Sequence, residues 1–162
     1  MSRGDTLMPN IEITEDNTAE VLRALSKASI RALETIGGMM EANAKKEITN
    51  VVYGTPPGWY RRTGALRNSI THKTDGDSVV VGSNLEYAPY VELGTGKEYS
   101  PPPDWIESQA QRGKGRDRWY YKDEEGKWHV GVPQKPRPFL RPAVENYIDK
   151  YKEVAENELR KG

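Results

Sequence analysis

TAEVLRALSKASIRALETIGGMMEANAKKEITN, the stretch from Thr18 to Asn50, decides the fold. Its apolar residues recur three and four positions apart, which is typical of one face of an α-helix. They are Val21, Leu22, Leu25, Ala28, Ala32, Leu33, Ile36, Met40, Ala44 and Ile48. We therefore predict an amphipathic helix of about nine turns. Gly37-Gly38 interrupts the pattern, and the pair predicts a kink or the close approach of another backbone.

Around this helix, the pattern predicts a single α+β domain over residues 16–162, preceded by a flexible N-terminal arm over residues 1–15. A short strand is expected within the arm at Ile11–Ile13. After a Gly- and Pro-rich connector at Val51–Tyr60, Thr63 is a candidate N-cap for a short helix.

Two hairpins follow from β-prone runs that flank turn residues. Asp75-Gly76 lies between Ile70–Lys73 and Ser78–Gly82, and a second acidic turn lies between Trp119–Lys122 and Lys127–Val130. Between the hairpins, residues 84–96 predict a turn and a short helix that ends at glycine.

The C-terminal segment predicts a second amphipathic helix with Pro142 in its first position. Its apolar stripe comprises Val144, Tyr147, Ile148, Tyr151, Val154, Ala155 and Leu159. We expect both helices to pack on one side of a small antiparallel sheet, with an extended, hairpin-containing insertion over residues 97–135.

The insertion combines features of a linker with features of an interface. Pro101-Pro102-Pro103 and Arg112–Arg116 resist regular structure, yet three of the four tryptophans lie here. Since aromatic residues and arginine favour the centres of protein interfaces, we predict an assembly arm that is mobile in the free subunit and ordered after assembly. The alternative is that these rings cover the subunit's own sheet.

Composition narrows the functional classes. The chain has 162 residues, in which 24 Lys and Arg balance 24 Asp and Glu, and it has no cysteine. Disulfides, thiolate metal sites and cysteine nucleophiles are therefore excluded. The apolar fraction is 35% and the mean hydropathy is −0.84, which indicates a small core or a subunit that completes its burial against neighbours. No apolar run approaches the ~20 residues of a membrane span, and no secretory signal is evident. We expect a soluble protein made in the cytoplasm.

No catalytic motif is evident in the sequence. His72 and His129 cannot complete a zinc site alone, and their spacing does not support a site with carboxylates. Gly94-Thr95-Gly96-Lys97 resembles the end of a phosphate-binding loop, but Val91 and Glu98 stand where that motif requires glycine and Ser or Thr. We expect a structural or interaction protein, not an enzyme, with no cofactor or metal.

Three segments together resemble the morphogenesis family of long-tailed bacteriophages, whose members act as tail-completion, tail-terminator or head–tail joining proteins. The segments are RTGALRNSI (62–70), VGSNLEYAPYVELGT (81–95) and KPRPFLRPA (135–143), in this order after a long helix. The resemblance covers roughly residues 18–160. Many members are shorter around 119–129, so the insertion departs from the common pattern.

The resemblance implies a homo-oligomeric ring, of six subunits, in the phage neck between capsid connector and tail. Its partners would be itself, the neighbouring neck or connector and tail-tube proteins, and genomic double-stranded DNA that passes through the lumen without sequence-specific contacts. No membrane is involved. The protein would be part of the virion and would assemble in the host cytoplasm.

Candidate residues fall into two groups. The interface candidates are Arg62, Arg67, Glu92, Trp105, Trp119, Tyr120, Tyr121 and Trp128. The core candidates are Leu66, Tyr87, Tyr90, Phe139 and Leu140. For Glu92 two roles are open: hydrogen bonding to nearby backbone amides, such as those of Gly94-Thr95-Gly96, or an ion pair with Arg62 or Arg67 across a subunit boundary.

Two other functional classes remain as alternatives. The first is a DNA-binding protein without sequence specificity that uses Arg61, Arg62, Arg67 and the Arg112–Arg118 loop, although DNA-binding domains usually show a clearer basic excess. The second is a metal-dependent nuclease, for which the sequence offers no candidate ligands.

Overall fold

The computed structural model describes residues 17–54, 63–100, 115–122 and 125–161. The elements along the chain are α1 (Thr18–Ile48), a π-helical turn (Thr49–Tyr53), α2 (Ala65–Asn68), β1 (Ile70–Asp75), β2 (Ser78–Ser83), α3 (Ala88–Leu93), a 3₁₀ turn (Gly96–Glu98), β3 (Trp119–Lys122), β4 (Trp128–Gly131), α4 (Leu140–Glu145) and α5 (Ile148–Lys161). None of the described helices combines the length and hydropathy that a membrane span requires.

Helix α1 is a single 31-residue element, as the apolar spacing predicts. Its buried positions are Ala28, Ala32, Ile36, Gly37, Met40, Ala44 and Ile48. Lys45 and Lys46 occupy the last turn, where positive charge complements the helix dipole. The apolar stripe of α1 is thus buried in the core along most of the helix.

The first hairpin packs against the middle of α1. β1 and β2 pair antiparallel, with Ile70 opposite Ser83 and Asp75 opposite Ser78, so the loop consists of Gly76 and Asp77 alone. Gly76 has a φ of 59°, a conformation that glycine adopts without strain. The hairpin is confirmed, although its strands run further toward the turn than the sequence pattern predicts.

The second hairpin, β3–β4, forms a separate two-stranded sheet. Trp119 lies opposite Gly131, and Lys122 lies opposite Trp128. An isolated antiparallel bridge between Thr95 and Gln134 lies near the base of this hairpin. The small antiparallel sheet of the prediction is therefore two small sheets, and the α+β class is confirmed.

The C-terminal stripe is divided between two helices. α4 begins at Leu140, so Pro142 occupies the third helical position and not the first, and α5 begins anew at Ile148. Tyr151 of α5 ties the pieces together, because its hydroxyl donates to the carbonyl oxygen of Ala143 and accepts from Nδ2 of Asn43 in α1 at 2.8 Å.

Two apolar clusters make up the core. The larger joins α1, α2, β1, α3 and α4 through Ala44, Ile48, Val52, Leu66, Ile70, Ala88, Phe139 and Ala143. The smaller joins α1 to α5 through Ile36, Met40 and Tyr151, with Val79 and Val81 of β2 packed against it. α1 contributes to both clusters and is their common support.

Gly37 permits the contact between α1 and the first hairpin. A Cβ atom at this position would lie 2.3 Å from Cδ2 of His72 and 2.9 Å from a methyl carbon of Val79. The neighbouring Gly38 has no atom within 4 Å of the corresponding position. The glycine pair was expected to mark a kink or the approach of another backbone; the groups that approach Gly37 are instead the side chains of His72 and Val79, and α1 continues through both glycines.

The two glycines should respond oppositely to alanine. Gly37→Ala should lower the free energy of unfolding by about 1–3 kcal/mol, because the methyl group forces the His72 ring and the hairpin away from α1. Gly38→Ala, the matched control, should raise it by up to about 1 kcal/mol through helix propensity alone. Urea denaturation measures both, and a shift of the same sign in the two variants would contradict the packing argument.

His72 is held between two carboxylates of α1. Its Nδ1 lies 2.7 Å from Oε2 of Glu41, and its Nε2 lies 3.3 Å from Oε1 of Glu34. Lys45 also binds Glu41, and the hydroxyl of Thr74 donates to Glu34 at 3.2 Å. The hydrogen bond to Glu41 raises the pKa of His72, and the bonds from Lys45 and His72 lower the pKa of Glu41. Since both ring nitrogens face carboxylates, the geometry favours the imidazolium.

Stability should therefore fall on both sides of an intermediate pH. The contribution of His72 is fully present below about 6.5, its pKa in the unfolded chain, and is lost as the pH rises through its raised folded pKa. The contribution of Glu41 is present above its unfolded pKa and is lost as the pH falls through its lowered folded pKa. His72→Gln should flatten the alkaline decline in the free energy of unfolding, measured by urea denaturation from about pH 5 to about pH 9.

Glu41→Gln provides a second test of the same cluster. It removes the carboxylate closest to the ring, so NMR titration should find a lower pKa for His72 in this variant than in the parent chain. An alkaline decline that is unchanged in His72→Gln would show that this cluster does not set the pH dependence.

Candidate assembly surface

A side chain of helix α3 forms hydrogen bonds with the backbone at the start of α4, and these bonds join the first half of the chain to its C-terminal part. The carboxylate of Glu92, which is buried, accepts hydrogen bonds from the backbone N–H groups of Phe139 at 2.7 Å, Leu140 at 3.0 Å and Arg141 at 3.1 Å. The first amides of a helix have no partner within the helix, so Glu92 caps α4 from a distance of 47 residues along the chain. We call this arrangement the Glu92 clamp.

Of the two roles considered for Glu92, the clamp is of the first kind, hydrogen bonding to backbone amides, but the amides are not those expected; the ion pair across a subunit boundary stays a prediction. The carboxylate does bind backbone amides, but those of α4; the amide of Thr95, in the turn expected to supply them, donates to the carbonyl oxygen of Gln134 at 2.9 Å. Arg67 lies exposed on α2, and Arg62 lies outside the described residues. In the described chain, Glu92 therefore acts within the subunit.

The Gly94-Thr95-Gly96 turn anchors the second hairpin. The Thr95 hydroxyl accepts from the amide of Gln134 at 3.0 Å, and the Gly96 carbonyl oxygen accepts from the amide of Gly115 at 3.1 Å. Gly94 and Gly96 have φ values of 74° and 63°, and a Cβ at either would lie 2.6 Å from a backbone oxygen. The glycines that resemble a phosphate-binding loop in the sequence thus allow close backbone contacts.

The inner face of the hairpin packs onto the subunit. Trp119 is only 8% exposed, and its indole ring lies against Gly131 on the paired strand. The rings of Tyr121 and His129 stack with centroids 5.5 Å apart. Trp119 and Tyr121 were expected at an interface, but they lie on the face that covers the subunit itself, because alternate residues of a strand point to opposite faces.

The outer face of the hairpin is exposed and apolar. Tyr120 is 67% exposed, Trp128 is 64% exposed, and Val130 is about half exposed. Tyr120 pairs with Val130 and Lys122 pairs with Trp128, so all four side chains share one face. The ammonium group of Lys122 lies 4.9 Å from the centroid of a Trp128 ring. We call these four residues the hairpin face.

A cavity of about 700 Å³ lies between the inner side of the hairpin and the helices that precede it. Its aromatic lining comprises Tyr53, Tyr87, Tyr90, Trp119 and Tyr121. The indole N–H of Trp119 is buried and has no hydrogen-bond partner in the described part of the chain.

The core candidates divide between core and surface. Leu66 and Phe139 are buried in the larger cluster, and Leu140 is half-buried against it. Tyr90 is half-buried, but Tyr87, which precedes α3 and lines the cavity, is 43% exposed and is not a core residue. Trp105 lies outside the described residues, as do residues 1–16.

A second exposed apolar surface, which the sequence pattern does not reveal, lies at the start of α1. Val21, Leu22 and Leu25 continue the stripe that is buried further along the helix, yet all three are exposed, Leu22 by 60%. The spacing of three and four residues predicts a buried position for them, because such spacing does not show where the helix packed against α1 ends. We call these three residues the helix stripe.

The two histidines lie on different hairpins, as their sequence positions imply. Within the described ranges, no group of three His, Asp or Glu side chains is arranged to hold a metal ion. The distinctive features of the described residues are therefore the exposed apolar faces and the buried Glu92 clamp.

The Glu92 clamp should be sensitive to loss of a single oxygen acceptor. Glu92→Gln keeps the size of the side chain but replaces one accepting oxygen with an NH₂ donor, which leaves at least one buried amide without its partner. We expect the free energy of unfolding to fall by about 2–3 kcal/mol. Glu145→Gln, which removes an exposed carboxylate 3.3 Å from Arg141, should cost less than about 0.5 kcal/mol. Equal losses in the two variants, measured by urea denaturation, would argue against the clamp.

Comparison with known proteins bears on the part of the chain that carries α1, the first hairpin and α3. The model of one family, described as "Bacteriophage HK97-gp10, putative tail-component", matches residues 14–94, which is half of the chain. Neither curated proteins nor solved structures give a match. The match ends just after Glu92, so the second hairpin and helices α4 and α5 lie beyond it. The chain belongs to the HK97-gp10-like family of phage tail components.

Proposed function

We propose that this protein is a ring subunit of the phage neck, which joins the capsid connector to the tail in the role of a tail-completion or tail-terminator protein. The observation that carries the proposal is the match of α1, the first hairpin and α3 to a family of phage tail components. A tail component is part of the virion, and membership favours a structural role over a catalytic one.

Two features of the subunit support a ring. The chain is polar, with 35% apolar residues, and it still exposes apolar side chains at both the hairpin face and the helix stripe. Two different faces on one chain allow contacts of the head-to-tail type, which close into a ring when each step rotates the next subunit by the same fraction of a turn. The proposed ring has six copies, forms in the host cytoplasm, and contacts neck and tail-tube proteins on its two sides.

In this proposal, genomic DNA passes through the lumen without sequence-specific contacts. Direct DNA binding as the main activity has less support, because the chain has a formal net charge of zero and dedicated DNA-binding domains are usually basic. Such an activity would also require an affinity that falls steeply with salt.

A phage that lacks the gene for this protein provides the test. We expect electron microscopy of the lysate to find DNA-filled heads and complete tails that are not joined to each other, because the neck lacks the component that connects them. Purified protein added to this lysate should restore joined particles and infectivity.

Two outcomes would contradict the proposal. Joined, infectious particles in the absence of the protein would exclude an essential joining role. Separate heads and tails that purified protein fails to join, while the same protein binds DNA with strong salt dependence, would favour the DNA-binding alternative.

A further inference from the structure

We infer that the hairpin face of one copy docks on the helix stripe of a second copy, and that this contact links neighbouring subunits. The inference deepens the proposed function and rests on it, because it names the two surfaces through which the ring would close. At the N-terminal end of α1, the apolar stripe continues beyond the part of the helix that α5 covers.

α1 extends beyond α5 by several turns. The two helices run antiparallel, since Asn43 binds Tyr151 while Arg31 lies 3.8 Å from Glu158. Past Glu158, α5 continues for three residues, about 4.5 Å, whereas α1 extends thirteen residues from Arg31 back to Thr18, about 20 Å. The helix stripe lies on this overhang and is exposed as a result.

The hairpin face has dimensions that match such a stripe. Its side chains form two cross-strand pairs about 7 Å apart along the strands, and the stripe presents apolar residues one helical turn apart, about 5.4 Å. The two exposed rings alone offer roughly 200–300 Å² of apolar surface. That is about a third of the ~800 Å² that each partner buries in a standard interface, so these residues would form its apolar centre.

Contact with other copies of this chain would cover both the hairpin face and the helix stripe. Each copy carries one hairpin face and one helix stripe, so docking one on the other leaves a free face and a free stripe at the ends of every pair. Such a contact propagates from copy to copy.

Cysteine cross-linking tests the contact directly, because the chain has no cysteine of its own. Leu22→Cys and Trp128→Cys chains, mixed and treated with a short bismaleimide reagent, should give mixed cross-linked dimers. Ile30→Cys mixed with Val80→Cys is the matched control, because both residues are exposed apolar positions away from the two surfaces. Mixed dimers no more abundant than in this control would overturn the inference. Dimers that join Leu22→Cys to itself, or Trp128→Cys to itself, as the main product would overturn it too.

Paired charge variants give a second readout that does not depend on cross-linking. Leu22→Glu and Trp128→Glu should each abolish self-association in sedimentation experiments, because each blocks one side of the contact. A one-to-one mixture should then form a complex of two chains, since one variant keeps its hairpin face and the other keeps its stripe. Recovery in the mixture supports a contact between different faces, and failure to recover contradicts it. Thermal melts should match those of the parent chain because both positions are exposed.

Failure of this inference can be told apart from failure of the proposed function. If Leu22→Glu protein still joins heads to tails in the gene-deficient lysate, the contact is wrong and the joining role stands. If the two faces cross-link as expected but particles join without the protein, the contact stands and the joining role is wrong.

Discussion

The Glu92 clamp is the interaction on which the rest of the structure depends. A single buried carboxylate in α3 accepts three amide hydrogens at the start of α4, and it thereby fixes Phe139 at the centre of the larger cluster. Removal of a charged carboxylate from water is costly unless its hydrogen bonds are replaced, and here the helix end replaces them. The part of the chain that matches the family is thereby joined to the part beyond the match.

Around the clamp, the chain is built from small elements that share few contacts with one another. α1 is the exception, since it packs on the first hairpin, on α4 and on α5, and it contributes to both clusters. A core divided in this way explains how a polar sequence supports an ordered subunit. It also leaves the second hairpin dependent on the Gly94-Thr95-Gly96 turn and on Trp119 for its attachment.

Much of the fold could be predicted from local sequence patterns. The long helix follows from apolar spacing, and both hairpins follow from turn residues between β-prone runs, because these signals act between neighbours in the chain. The partners of Glu92 could not be predicted, since they lie 47 residues away and bind through backbone amides that have no sequence signature. The exposed helix stripe was missed for a related reason, because its period is the same as that of the buried stripe.

The contact between Gly37 and His72 has a consequence for how this sequence can diverge. The two positions lie on different elements, yet the imidazole occupies the space where a side chain at position 37 would stand. A larger residue at 37 therefore requires a smaller residue at 72 and a shift of Val79, and loss of the imidazole also frees Glu34 and Glu41 from their common partner. Substitutions at positions 34, 37, 41 and 72 should consequently be correlated among related sequences. Gly38, one residue away, can vary independently.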